Sequence, residues 1–391
     1  MEATKPSSTW RQSSSSVTIS IFTAEQALAW PDVLVEFEIS ALTVTITRAR
    51  GSDLCFMWDP LAHHINVAEC SWDLSGQTLI IELVKAEAGV EWSTLEAAPA
   101  IVTARSHAPV SGVGFQIMSD LHLEFHFATP PRGSAPGYDV FVPPAIADNL
   151  ALLGDIGLIA DREKLFEFLE RQLPRFKRVF FVAGNHEFYR SASYEEGLEK
   201  MTAFAARMAE RRQSDETIAE FIFLNRTRYD IPGSDVTILG CTLWSNIPPE
   251  DHDLLKATMN DFRRIGGWSP ARCTQTHFED VAWLESQLEE IQSQDPARKI
   301  AIFSHHAPTL DGTSNPQHHD SPIACGFATE LSTNSKLWKP QSLKLWAFGH
   351  THWCCDRLVN GVRVFANQHG YQGIETRMTA SEFDISSIVY V

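Results

Sequence analysis

The chain reads Val179-Phe-Phe-Val-Ala-Gly-Asn-His-Glu187 near its middle, and this stretch is the most informative part of the sequence. It opens with a short apolar run that is typical of a buried strand. The glycine then lets the backbone approach neighbouring groups closely. An amide oxygen, an imidazole and a carboxylate follow within one turn, at Asn185, His186 and Glu187. The stretch therefore predicts a functional loop at the end of a buried strand.

Four other places repeat this arrangement of an apolar run followed by polar side chains. They are Asp120 and His122 after Phe115–Met118, Asp155 after Leu150–Leu153, His305 after Ile300–Phe303, and His350 and His352 after Leu345–Phe348. Each place alone is a weak signal, because short combinations of Asp and His are common by chance. Mixed oxygen and imidazole ligands suit borderline divalent ions such as Mn, Fe, Zn or Ni. Together the five places predict two metal ions held by loops at strand ends, as in a metal-activated hydrolase.

The apolar runs after Gly112 alternate with helical stretches. Helical spacing of leucine and phenylalanine predicts helices over Asp161–Leu173 and Glu279–Gln292. Further strand-like runs occur at Val236–Leu239 and Val362–Ala366. Such alternation predicts an α/β layered domain whose sheets are covered by helices.

The first quarter of the chain follows a different rhythm, with apolar residues at every second position. Val17, Ile19 and Ile21 are one example of several, and alternation of this kind predicts half-buried antiparallel strands. Short strands separated by turns favour a β-sandwich. We therefore predict a β-sandwich over residues 8–97, a Pro-bearing linker over 98–111 and the α/β domain over 112–391.

Composition narrows the class of protein. At 391 residues, two domains are expected, and the net charge of −17 without a basic stripe makes nucleic acid an improbable partner. The seven cysteines form no CxxC pair, which is typical of a reducing compartment. The first residues contain no apolar signal region, and no run approaches the ~20 apolar residues of a membrane helix. We therefore expect a cytoplasmic protein with no membrane association.

The five polar segments resemble the motifs of the calcineurin-like metallophosphoesterase superfamily, over about residues 112–370. The resemblance implies a four-layer α-β-β-α sandwich with a dinuclear metal site. It implies that one metal is bound by Asp120, His122, Asp155 and His352, and the other by Asp155, Asn185, His305 and His350. It further implies hydrolysis of phosphomonoesters or phosphodiesters by attack of a metal-bridging hydroxide. His186 has no metal in this assignment and lies where the family keeps a proton donor.

Departures from the motifs of two well-known groups in the superfamily narrow the range of expected substrates. Protein Ser/Thr phosphatases of the superfamily carry Gly-Asp-x-His-Gly where this chain has Ser119-Asp-Leu-His-Leu123. Purple acid phosphatases place a tyrosine three residues after the bridging Asp, where this chain has Leu158. A phosphorylated small molecule is the substrate class that remains.

The N-terminal block resembles a CS domain, the β-sandwich of the p23 co-chaperone and its relatives. The resemblance rests on Trp10-Arg-Gln12, Cys70-Ser-Trp-Asp-Leu74, Leu79-Ile-Ile-Glu-Leu-Val-Lys85 and Trp92. It implies a binding module whose partner is often a chaperone of the Hsp90 type.

Three further residues are candidates for the site on weaker sequence evidence. Arg263 is a candidate for gripping a substrate phosphate, and His306, directly after a predicted ligand, is a candidate for touching the substrate. Glu187 is expected to orient His186, in the way that outer carboxylates orient imidazoles. Two other functions remain open: a non-catalytic, co-chaperone-like interaction protein that uses the CS-like domain, and a DNA nuclease. The intact ligand set argues against the first and the acidic charge against the second.

Overall fold

A computed structural model describes residues 7–22, 33–38, 41–46, 54–58, 63, 65–66, 70–75, 78–92, 112–125, 137–138, 141–318, 321–339, 341–371 and 383–391. The chain divides into two compact units, Met1–Pro109 and Val110–Val391. The sequence-predicted linker over 98–111 lies outside the described residues. Within the described parts, no helix combines the length and the apolar character that a membrane span requires.

The first unit contains two antiparallel sheets. β1, β2, β7 and β6 lie side by side in that order, and β3, β4 and β5 form the second sheet. Residues from both sheets, among them Ile19, Ile81 and Val44, pack into one apolar core together with Trp92. The strands are β1 Ser7–Gln12, β2 Ser16–Phe22, β3 Val33–Glu38, β4 Ala41–Ile46, β5 Leu54–Trp58, β6 Ser71–Ser75 and β7 Thr78–Val84. The predicted β-sandwich is therefore confirmed.

The second unit is built from two larger sheets. The five-stranded sheet has the order β11-β10-β9-β8-β18, and the six-stranded sheet has the order β12-β13-β14-β15-β17-β16. Its strands are β8 Gly114–Met118, β9 Asn149–Leu153, β10 Arg178–Val182, β11 Glu220–Phe223, β12 Thr227–Asp230, β13 Val236–Gly240, β14 Lys299–Phe303, β15 Leu343–Ala347, β16 Cys355–Val359, β17 Val362–Ala366 and β18 Ile388–Tyr390. Its α-helices are α1 Arg162–Gln172, α2 Tyr194–Ser214, α3 His252–Thr258, α4 Asp261–Arg264 and α5 Pro270–Gln294.

Alternate residues of each strand face two different cores, and this produces the layers. In β9, Ala151 and Leu153 pack between the two sheets, whereas Leu150 and Leu152 pack against the side that carries α1 and α2. The outer face of the six-stranded sheet packs against α5. The predicted four-layer α-β-β-α sandwich is therefore confirmed, as are the two helices predicted from sequence.

Local chemistry explains where the long helices begin. The hydroxyl oxygen of Ser193 accepts a hydrogen bond from the backbone N–H of Glu196 at the start of α2. At the start of α5, Ser269 accepts from the N–H of Arg272, and Pro270 occupies the first helical position. Both are favourable caps, because the first turn of a helix leaves N–H groups without partners.

Strand direction positions the polar loops. β8, β9 and β10 run parallel, and so do β13, β14, β15 and β17. Each of the five predicted loops follows the carboxyl end of one of these strands. Because the carboxyl ends of parallel strands meet at one edge of a sheet, each sheet gathers its own loops.

Candidate metal centre

The loops of both sheets converge on one buried site. The five-stranded sheet contributes Asp120, His122, Asp155, Asn185 and His186, and the six-stranded sheet contributes His305, His350 and His352. All but His352 are buried, and the side chain of His352 is only 12% exposed. Residues such as His122 and His352, which lie 230 positions apart in sequence, are therefore in contact.

One group of possible ligands consists of Asp120, His122 and His352. The Nε2 atoms of His122 and His352 lie 3.0 Å apart, and Nε2 of His352 lies 3.5 Å from Oδ1 of Asp120. At this distance one Nε2 can donate a hydrogen bond to the other. Alternatively, both nitrogens can direct lone pairs at an ion bound beside them.

A second group consists of Asp155, His305 and His350. Nε2 of His305 lies 3.4 Å from Oδ1 of Asp155 and 3.1 Å from Oδ1 of Asn185. The other carboxylate oxygen of Asp155, Oδ2, lies 3.7 Å from Nε2 of His122, which belongs to the first group. Asp155 therefore stands between the two groups.

The hydrogen bonds of the imidazoles fit metal ions at both places. Nδ1 of His305 donates to the carbonyl oxygen of Leu153 at 2.8 Å, and Nδ1 of His122 donates to Glu124 at 3.2 Å. With Nδ1 engaged in this way, each ring turns Nε2 toward the cluster, and binding of an ion there would displace any proton that Nε2 carries. Nε2 of His350 is buried and has no hydrogen-bond partner among the described residues. A divalent ion would satisfy it.

The backbone at the site adopts a conformation that is rare for residues with side chains. Positive φ angles occur at five of the predicted ligands, namely Asp120 (56°), His122 (47°), Asp155 (53°), His350 (75°) and His352 (51°). Such angles are disfavoured for most L-residues and cluster at functional sites. These turns direct the five side chains from the strand ends toward the cluster.

Two glycines are required by the closeness of these loops. Gly154 has φ 89°, and a Cβ there would collide with Nδ1 of His305. A Cβ on Gly184 would collide with Oδ1 of Asp155. Any larger residue at either position would push the two sheets' loops apart.

Electrostatics inside the cluster are strongly coupled. Burial alone would raise the pKa of Asp155, but the neighbouring His305, His186 and His122 hold it well below its usual range. Burial would lower the pKa of His305, but Asp155 raises it to about 9. Burial and the adjacent His305 lower the pKa of His350 to about 3. A neutral His350 is available as a ligand at any ordinary pH.

Asn185 is held by a carboxylate from a distant part of the chain. Its Nδ2 donates to Oδ1 of Asp261 at 2.8 Å, and the hydroxyl of Tyr189 donates to the same oxygen at 2.6 Å. With its amide nitrogen occupied in this way, Asn185 presents Oδ1 to the cluster. An amide oxygen is the atom that binds a metal ion, so Asp261 selects the useful orientation.

Both ring nitrogens of His186 are engaged. Nδ1 donates to Oε1 of Glu124 at 2.8 Å, and Nε2 lies 2.9 Å from the hydroxyl of Tyr371. One ring face packs against Tyr189, with centroids 4.2 Å apart. The side chain is therefore fixed at the edge of the cluster, close to Tyr371 at the rim.

The expectation that Glu187 orients His186 is wrong. Glu187 is fully buried, and its carboxylate accepts hydrogen bonds from backbone N–H groups instead. Those donors belong to Asp155 (2.9 Å), Ile156 (2.8 Å), Gly157 (3.2 Å) and Gly184 (2.7 Å). Glu187 thus ties two ligand-bearing loops together, and the carboxylate that contacts His186 is Glu124.

The structure places the two predicted substrate contacts differently, with His306 in the interior and Arg263 on the surface. His306 is completely buried next to His350, with ring centroids 4.1 Å apart. Arg263 is exposed, and its guanidinium donates to Ala257, Thr258 and Asn260 near the end of α3. Their roles in substrate binding stay predictions. The neighbouring Arg264 instead lies over the ring of Tyr189, 5.7 Å from its centroid.

Sequence reasoning did not assign Glu124 or Asp261 to the site. A weak signal existed for Glu124, which lies two positions after His122 and therefore could share its direction. No local signal existed for Asp261, because it reaches Asn185 across 76 positions of sequence. Only the folded chain brings that pair together.

Comparison with known proteins agrees with this geometry. The calcineurin-like phosphoesterase family matches residues 115–354, and the CS domain family matches residues 6–85. Since the first match covers more than half of the chain, the chain belongs to the calcineurin-like phosphoesterase family. It is a metal-dependent phosphoester hydrolase.

Individual relatives are distant. An uncharacterized protein of Acanthamoeba polyphaga mimivirus is 26% identical over 264 residues, which are 65% of this chain and 90% of that protein. Phosphopantetheinyl hydrolase from Mycobacterium tuberculosis is 18% identical with a TM-score of 0.49, over 72% of this chain and 96% of that chain. The CS domain of a human protein is 17% identical with a TM-score of 0.22, over 25% of this chain and 82% of that chain.

Glu187→Ala tests the role of Glu187 as a link between loops. The substitution leaves four buried N–H groups without an acceptor. Each such group costs about 1–3 kcal/mol, so we expect the free energy of unfolding to fall by about 3 kcal/mol or more. Urea unfolding of metal-free protein measures it. The matched control, Glu167→Ala on the exposed face of α1, should change that free energy by less than about 0.5 kcal/mol. A loss below about 1 kcal/mol for Glu187→Ala would contradict the role.

Proposed function

We propose that this protein hydrolyses phosphomonoesters or phosphodiesters of small molecules at a site for two divalent ions. The observation that supports this most is the position of Asp155, with one carboxylate oxygen beside His305 and the other beside His122. A carboxylate so placed can bridge two ions. We propose Asp120, His122, Asp155 and His352 as one ligand set and Asp155, Asn185, His305 and His350 as the other.

The protein's own groups prepare this site for the reaction. When bound, two divalent ions supply an activated water and neutralise charge on the phosphoryl oxygens. The buried imidazoles of His122 and His305 would hold the ions through Nε2, because their Nδ1 atoms are already bonded. Asp261 holds the amide of Asn185, and Glu187 holds the backbone of two loops. The site is therefore organised before substrate arrives, which is the condition for strong electrostatic catalysis.

His186 is the proposed proton donor. As water oxygen bonds to phosphorus, the bond from phosphorus to the leaving oxygen breaks and its electron pair stays on that oxygen. Nε2–H of His186 would then give its proton to the leaving oxygen. Burial alone would lower the pKa of His186, but Asp155 and Glu124 raise it, which favours the protonated donor. The hydroxyl of Tyr371 occupies this position, so the leaving oxygen would take its place.

Chelation tests the requirement for metal. Exhaustive chelation should reduce phosphoesterase activity to background, and Mn or a similar divalent ion should restore it, because the bound ions would supply the activated water. Elemental analysis of the protein reactivated with Mn should show about two ions per chain. Equal activity in protein shown to be free of metal would contradict the proposal. Absence of turnover with every metal and ester would favour the non-catalytic interaction protein instead.

His186→Ala tests the proton donor. We expect kcat/KM to fall by about 10²–10⁴-fold for alkyl phosphate esters, whose leaving alkoxides need a proton. The loss should be less than about 10-fold for nitrophenyl esters, whose leaving groups need little protonation. Metal content should stay unchanged. His186 also lies near His122 and Asp155 in a group that could itself hold an ion, so loss of one metal would reassign it as a ligand.

We also propose that the N-terminal unit is a protein-binding module, separated from the catalytic unit by the linker over 98–111. The CS domain match over residues 6–85 supports this, and a chaperone of the Hsp90 type is the proposed partner. A fragment of residues 108–391 should keep metal and most turnover of a small ester, while binding of purified Hsp90 should require the full chain. An inactive or insoluble fragment would show that the sandwich is part of the catalytic unit.

A further inference from the structure

Glu124 contacts two functional imidazoles with one oxygen atom. Its Oε1 accepts from Nδ1 of His186 at 2.8 Å and from Nδ1 of His122 at 3.2 Å. The side chain of Glu124 is 5% exposed, and those of His122 and His186 are 2% and 7% exposed. The contacts are therefore shielded from water, where a charged acceptor orients its donors most strongly.

The hydrogen bonds of Glu124 differ in kind from those of Glu187. Glu187 uses both oxygens on backbone N–H groups, which is what a carboxylate that holds loops together does. Among the described residues, both hydrogen bonds of Glu124 end on imidazoles, and its Oε2 is buried without a hydrogen-bond partner. The carboxylate of Glu124 is therefore placed to accept hydrogen bonds from the rings of His122 and His186.

An acceptor at Nδ1 decides which nitrogen of an imidazole faces outward. When Nδ1–H of His122 points at Glu124, its Nε2 lone pair faces His352 and Asp155. When Nδ1–H of His186 points at the same oxygen, its Nε2 faces Tyr371 at the rim.

We infer that Glu124 is a positioning residue that sets the orientation of the proton donor His186 and of the metal ligand His122 together. The inference rests on the proposed function, in which His186 donates to the leaving oxygen and His122 binds an ion. Glu124 touches neither substrate nor metal in this assignment. It acts by preventing either ring from turning or from carrying its proton on the wrong nitrogen.

Substitutions at Glu124 can separate the effect of its shape from the effect of its charge. Glu124→Gln can keep an oxygen at the Oε1 position, with its amide nitrogen at the Oε2 position that has no hydrogen-bond partner in the described chain. Glu124→Ala removes the acceptor altogether. Glu167→Ala removes a carboxylate from the exposed face of α1 and serves as the matched control.

Kinetics with saturating Mn give the first readout. Glu124→Ala should lower kcat/KM for alkyl phosphate esters at least ~10²-fold, and for nitrophenyl esters by about 10-fold or less. Glu124→Gln should recover most of the loss, and Glu167→Ala should match the unmodified protein. Glu124→Ala combined with His186→Ala should equal His186→Ala alone within about 10-fold on alkyl esters, because only the effect of Glu124 through His122 remains when the donor is absent.

Nitrogen NMR of the full chain without metal gives a readout independent of activity. With histidine labelled by ¹⁵N, the signals of His186 and His122 should report protonated Nδ1 in the unmodified protein and in Glu124→Gln. In Glu124→Ala the neutral ring of His122 should move to a mixture of tautomers, and the Nδ1 signal of His186 should shift because its hydrogen bond to Glu124 is lost. His186→Ala and His122→Ala identify the signals. Unchanged Nδ1 signals of both rings in Glu124→Ala would overturn the inference.

Different results would contradict the proton-donor role of His186 and the positioning role of Glu124. If His186→Ala lowers kcat/KM equally for all esters, the donor role fails, whatever Glu124 does to the tautomers. If His186→Ala shows the dependence on leaving group but Glu124→Ala lowers all esters equally, only the inference about Glu124 fails. Additive losses in the double variant on alkyl esters would overturn it as well.

Discussion

The carboxylate of Asp155 is the group on which the arrangement of the catalytic unit depends. It is buried between loops of both sheets, and it contacts His305 from one sheet and His122 and His186 from the other. A buried charge is costly unless it is paired, and no lysine or arginine of the described chain supplies a salt bridge to it. Imidazoles, and cations when bound, are what make a carboxylate acceptable there.

The close packing of Asp155 with the neighbouring imidazoles constrains the backbone around them. Gly154 and Gly184 leave no room for a side chain, and Glu187 gathers N–H groups from both of their loops. Left-handed turns at residues such as Asp120 and His350 direct side chains inward from strand ends. The strain is held by the sandwich beneath it, whose strands are buried on both faces.

Support of the site is divided among carboxylates with different tasks. Glu187 bonds backbone, Asp261 bonds the amide of Asn185, and Glu124 bonds the rings of His122 and His186. The sequence favours Glu187 as the residue that orients His186, because the two are neighbours in the chain. Neighbours one apart point in different directions, so Glu187 turns into the loop junction while Glu124 reaches His186 from another strand end.

The sequence by itself determined the strands and the loops that carry possible ligands. Apolar runs followed by Asp, Asn or His are local patterns, and the burial of strands such as Leu150–Leu153 follows directly from them. Tertiary structure alone decided that loops of two separate sheets meet at Asp155, and which carboxylate serves which partner. Those contacts join residues such as Asn185 and Asp261, 76 positions apart, through packing of sheets whose relative placement no local pattern encodes.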